Sequence, residues 1–148
     1  MREKYAPIFF ASQIGGKDAL AAVGPAITEI EDLAKADAGS HYGDPISSIA
    51  FVFRVDGAIT QWGLTGCERP MIDRKQHYVT IDVGIPSQIW KGQSIRELRQ
   101  YISSSLRLGW NQLELLIKRE GINFDCNRAS RDIDQLCSTY NLLNKNQI

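Results

Sequence analysis

The chain has 148 residues, long enough to bury a core without disulfide or metal staples and short enough to read as one domain. Charged residues make up 23% and hydrophobic residues 43%, which excludes a generally disordered chain. Seventeen Lys and Arg balance seventeen Asp and Glu, so the basic excess usual in nucleic-acid binders is missing and that role is disfavoured.

Cys67, Cys126 and Cys137 cannot all pair within one chain, and none forms a Cys-x-x-Cys unit. Reduced thiols in a cytoplasmic protein are the simplest account. The start, Met1-Arg2-Glu3-Lys4-Tyr5, precedes an apolar run from Ile8 to Ala11 that is too short for a signal-peptide core. No segment approaches a membrane span.

Pro7 to Ser12 reads as a first strand, and Gly15-Gly16 breaks the chain after it. Pro25 fits the first turn of a helix, where its missing N–H is unpaired anyway. Ile27, Ile30, Leu33 and Ala34 then follow at helical spacing, with Asp18 to Val23 as a separate turn before them. Gly39 to Pro45 is turn-rich and reads as a loop.

From Ser48 to Val55 the period becomes two, with Ile49, Phe51, Phe53 and Val55 on one face. Asp56-Gly57 is a favoured hairpin turn, which predicts a return strand over Ala58 to Trp62. Gly63 to Gln76 reads as a loop, and His77 to Ile85 as the clearest strand, ended by Pro86.

Ser94-Ile95-Arg96-Glu97 forms a capping box, and Ile95, Leu98, Ile102, Leu106, Leu113, Leu116 and Ile117 make one apolar stripe behind it. Gly109 falls in that stripe, as a kink, a close approach to the sheet, or a break into two helices. Gly121 is the stop. A last helix is expected over Ser130 to Leu142, with Asn144 to Ile148 a frayed tail. The fold class expected is α+β: a small antiparallel sheet of about three to four strands against a long amphipathic helix and further helices. Its ordered core spans roughly residues 5–142.

Chemistry is harder to find. Ile14-Gly15-Gly16-Lys17-Asp18 fails the phosphate-loop pattern twice, with Ala11 where a Gly is needed and Asp18 where Ser or Thr is needed. Cys67, His77 and Asp73 or Asp82 are the residue types of a nucleophile, base and orienter, and define a cysteine-dependent hydrolase or transferase as an alternative. Asp82 is out of phase with His77 along its strand. His41, His77 and the cysteines share no metal-ligand spacing, so neither a metal nor a cofactor is expected.

Arg96, Arg107 and Lys118 recur every eleven residues, on one side of the long helix. They form either a basic rail for nucleic acid or a solvated face, and Glu114 among them favours the latter. Glu29, Glu31, Asp32, Asp37 and Asp44 make an acidic segment suited to a basic protein partner. Trp90, in Gln88-Ile89-Trp90-Lys91, is a candidate interface anchor.

The segments IAFVFRVDGAITQWG, HYVTIDVGIP and WKGQSIRELRQYI, within Ser48 to Glu120, resemble bacterial immunity proteins of contact-dependent-inhibition and other polymorphic-toxin loci. The resemblance implies a small, cytoplasmic, non-catalytic protein that binds one cognate toxin, often a nuclease, across its active site. The resemblance transfers no contact residues; by charge and residue type, Glu29, Glu31, Asp32, Asp37, Asp44 and Trp90 are the expected contacts.

Overall fold

A computed structural model of the chain describes residues 5–36, 39–55 and 66–145. The two alternating segments become the central strands, β2 (Ser48–Val55) and β4 (Tyr78–Ile85). They pair with each other in parallel, Ile49 beside Val79 and Val55 beside Ile85. β1 (Ile8–Ile14) lies parallel along the other side of β2, and β3 (Cys67–Asp73) runs antiparallel on the far side of β4, giving the order β1-β2-β4-β3. The α+β class with a long helix is as expected, but the sheet is mixed, not antiparallel. Burial explains the difference. Ala50 and Asp82, on the face opposite Phe51 and Ile81, are buried as well. Central strands with buried residues on both faces are typical of parallel pairing.

Asp56-Gly57 and the return strand from Ala58 to Trp62 lie outside the described residues. Both edges of β2 are already taken over Ile49–Val55, by β1 and by β4.

β3 was hidden in what reads as a loop because it is an edge strand. It carries Pro70, a positive φ of 59° at Arg69 and a register shift between Glu68 and Met71. Pro and bulges are tolerated at sheet edges and erase the alternation that marks a strand in sequence. The turn to β4 is closed by Asp73, whose Oδ1 accepts from the Gln76 N–H at 2.8 Å. His77 belongs to that turn with φ of 69°, so it does not open β4 in phase with Val79.

α1 (Lys17–Ala36) is one continuous helix with Pro25 inside it. Ala19 and Val23 before Pro25, and Ala26, Ile27 and Ile30 after it, are all buried. That shared stripe outweighs the carbonyl left unpaired by Pro25, so the expected break does not occur. α2 (Ser87–Trp90) is a single turn. α3 (Ile95–Glu120) is also unbroken. Its capping box is made on both sides, with the Glu97 N–H donating to Ser94 Oγ at 3.2 Å and the Ser94 N–H donating to Glu97 Oε1 at 3.1 Å. Gly121 closes it in the left-handed region at φ of 66°. α4 (Cys126–Leu142) starts earlier than expected, capped by Asp125, whose side chain accepts from the Arg128 N–H.

The apolar faces of β2 and β4 meet α1 and α3 in one core that includes Phe51, Phe53, Ile81, Leu106 and Leu113. α4 packs on α1 and α3, where the buried Tyr140 donates to the Ala26 carbonyl at 2.8 Å. Gly109 is a point of close approach between α3 and the sheet. A Cβ there would sit 3.3 Å from Ile81 Cγ2 and 3.4 Å from Cys67 Sγ. Gly109→Val therefore overfills the seam, and urea unfolding of the variant should show a loss of about 1–3 kcal/mol with the helix content retained.

Candidate functional site

The expected nucleophile and base are not brought together. Cys67 pairs with Val83 at one end of the β3–β4 ladder, while His77 precedes Tyr78 at the other. Six steps along a strand separate their positions by about 20 Å. Cys67 Sγ donates to the Ser105 carbonyl at 3.1 Å, and burial pushes its pKa from 9.0 up to about 11. A thiol so placed keeps its proton and is a poor nucleophile. Asp73 spends its side chain on the turn, and Asp82 on arginines described below.

The basic residues of α3 are engaged one by one. Arg96 donates to the Asn144 carbonyl at 2.7 Å, Arg107 pairs with Asp134 at 3.1 Å, and Lys118 pairs with Glu114 at 3.3 Å. The solvated, acid-paired face is the reading that fits this geometry.

The acidic segment does not form one surface. Glu31 lies about 200° around the helix from Glu29, and Asp32 about 60° on the other side. Asp32 and Asp44 are exposed, Glu31 is half-buried, and Asp37 lies outside the described residues. Glu29 is turned inward as the partner of Arg99. Trp90 is not an exposed anchor either. It is only 5% exposed, because α2 tucks it into the core beside α1.

Arg99 was overlooked in the sequence, although its signal was present: a charged residue within the apolar stripe of α3. It is 1% exposed, and Glu29 meets it at 3.1 Å through Nε and at 2.6 Å through Nη2. Nη1 donates to Asn144 Oδ1 at 2.9 Å. Asn144 is therefore buried rather than frayed, while residues 146–148 of the expected tail lie outside the described residues. A second staple is Arg128, which donates to the carbonyls of Ser40 at 2.8 Å and His41 at 2.5 Å, and lies 4.4 Å from the Tyr42 ring centre. It fixes the turn-rich loop against the start of α4.

The second face of the sheet carries the surface best suited to recognition. Tyr5 stacks on Phe9 with ring centres 4.5 Å apart, and Tyr78 meets both edge-on at 5.4 Å. All three rings are half-buried, and the Tyr5 hydroxyl donates to Gln76 at 3.1 Å. The cluster forms because Phe9 and Tyr78 are both out of phase with the core residues of their strands. Only the registers Phe9–Ala50–Thr80 and Ser48–Tyr78 bring them to one end of the sheet, and sequence does not contain those registers.

Further along the same face, Asp82 is 8% exposed, with Arg54 at 3.5 Å and Arg69 at 3.7 Å, and Arg54 also donates to Gln13. Met71, 48% exposed, stands beside Thr80 in the ladder. Tyr5 also touches the loop that holds Asp44, since its carbonyl lies 2.6 Å from His41 Nε2. Aromatic rings, a methionine and a shielded ion pair thus share this side of the molecule.

Compared with protein-family models, curated proteins and solved structures, the chain matches none. Among the described residues, no group of three or more His, Cys, Asp and Glu side chains is placed to hold a metal ion, and no helix is long and apolar enough to cross a membrane.

Two measurements check this assignment of side chains. Alkylation of Cys67 in the folded protein should be slow at pH 8, where a thiol with pKa near 11 is thiolate to about one part in a thousand, and should accelerate as pH approaches 11. Glu29→Ala leaves the Arg99 charge buried without its carboxylate and should lower stability by about 3 kcal/mol in urea unfolding. Adding Arg99→Met should recover part of that loss, because the uncompensated charge goes with it.

Proposed function

We propose that this chain is an immunity protein that binds a cognate secreted bacterial toxin and blocks it by covering the toxin's active site. The observation that carries the reading is the half-exposed aromatic cluster of Tyr5, Phe9 and Tyr78 on a rigid sheet, next to Met71. Large aromatic side chains held in place by packing lose little entropy on association and recur as the energetic centres of protein interfaces. The resemblance of Ser48 to Glu120 to immunity proteins supports the choice of partner.

Further support comes from the side chains that had suggested other activities. Cys67 is a half-buried, hydrogen-bonded thiol remote from His77, and Arg107 and Lys118 on α3 are matched by acids. The contact set proposed is accordingly different from the expected one. Tyr5, Phe9, Tyr78 and Met71 supply the anchor. The exposed Asp44, with Glu31 and Asp32, supplies longer-range attraction for a basic toxin. Glu29 and Trp90 act inside the fold.

The mechanism is steric. A pre-formed surface docks without reordering its backbone, so binding energy is not spent on folding an interface. The test is co-expression with the toxin domain encoded in the adjacent reading frame, followed by purification of the complex. Protection of the cells and a stable complex are expected. Tyr78→Ala should weaken the complex by about 2 kcal/mol or more, roughly thirtyfold, with the circular dichroism spectrum unchanged. No association with that domain, or binding indifferent to Tyr78 and Phe9 substitutions, would remove the proposal.

A further inference from the structure

The two edges of the sheet are treated differently. β3 is guarded by Pro70, by the positive φ of Arg69 and by its register shift, the usual devices that stop another strand from adding on. β1 has none of them. Its sequence, Ile8-Phe9-Phe10-Ala11-Ser12-Gln13-Ile14, contains no charge and no proline, and it pairs with β2 without a register break.

The phase of the ladder shows which backbone groups β1 leaves outside. The Ile49 N–H donates to the Pro7 carbonyl at 2.8 Å, and the Gly15 N–H donates to the Val55 carbonyl at 2.9 Å. Odd-numbered residues of β1 therefore face β2, and the N–H and C=O of Ile8, Phe10, Ser12 and Ile14 point away from the sheet. Among the described residues no strand lies along that side.

We infer that β1 pairs antiparallel with β1 of a second copy, about a two-fold axis through Ala11, joining two sheets into one. The strand is self-complementary in that arrangement. Ile8 faces Ile14 of the second copy and Phe10 faces Ser12, and both are hydrogen-bonded pairs because all four residues carry outward groups. That makes about eight backbone hydrogen bonds across the seam. Phe9 faces Gln13, so the bulky ring never opposes another, and Ala11 meets Ala11 on the axis.

Charge selects the occupant. Because the strand is uncharged, two copies meet with no like charges opposed, whereas a charged foreign strand finds no complement. Ile8, Phe10 and Ile14, which pack on the core but are only half-buried, gain cover from the pairing. The contact is isologous and closes on itself, so it yields a dimer and not a fibre. A seam of one strand pair is small, so dissociation in about the micromolar range is expected.

Sedimentation velocity of the full chain across a dilution series tests this. The mass should rise with concentration from 16.6 kDa towards twice that value. Ser12→Pro removes an outward N–H that no internal bond uses, so the variant should stay monomeric throughout with its circular dichroism unchanged. Ala11→Cys gives an independent reading should that variant misfold. Non-hydrogen-bonded antiparallel partners have Cα atoms about 4.5 Å apart, within disulfide range, so mild oxidation should give a covalent dimer on a non-reducing gel. The native sequence should not. A monomer at every concentration would overturn the proposal, as would a folded Ser12→Pro variant that still dimerises or a dimer in which Ala11→Cys does not cross-link. None of these outcomes depends on the toxin.

Discussion

The architecture depends on β2 having two parallel neighbours. Parallel strands cannot be joined by a tight turn, so β1 must reach β2 by way of a helix, and α1 supplies it. The chain leaving β2 likewise has to return to the same end before β4 can run alongside. β3 does this from the far side of β4, so it becomes the edge and takes the irregularities that a central strand would reject. With the apolar faces of β2 and β4 turned to the same side, α1 and α3 can share one apolar surface, and Gly109 lets α3 lie close against it.

Much of this was legible in the residues. The alternation of β2 and β4, the capping box of Ser94 and Glu97, and the stop at Gly121 are local signals, and each survives in the fold because tertiary packing agrees with it. What failed was non-local. The expected antiparallel sheet is one case, because no local residue reports that β1 and β4 lie parallel along both edges of β2. Pro25 suggests a helix start, but the stripe from Ala19 to Ile30 is what α1 buries. β3 was invisible because Pro70 and Arg69, the features that suit it to an edge, are those that conceal a strand.

The candidate site was less legible than the fold, for a related reason. Residues chosen for their chemistry, Glu29 and Trp90 among them, turn out to serve the interior, and Cys67 with His77 are set at opposite ends of a hairpin. The recognition surface instead comes from Tyr5, Phe9 and Tyr78, three rings drawn together by strand register. Single-residue chemistry could not have nominated them. The clue was that Phe9 and Tyr78 are large apolar side chains out of phase with the core, which an amphipathic strand would not place on a wet face without a use.

Arg99 has a bearing on how the molecule is made. Its acceptors come from widely separated parts of the chain, Glu29 lying 70 residues upstream and Asn144 45 residues downstream. During synthesis the carboxylate emerges early, the guanidinium waits for most of α3, and the amide appears only after α4. The helical layer therefore cannot lock while the ribosome is still extending α4, and its closure belongs to the slow, non-local part of folding.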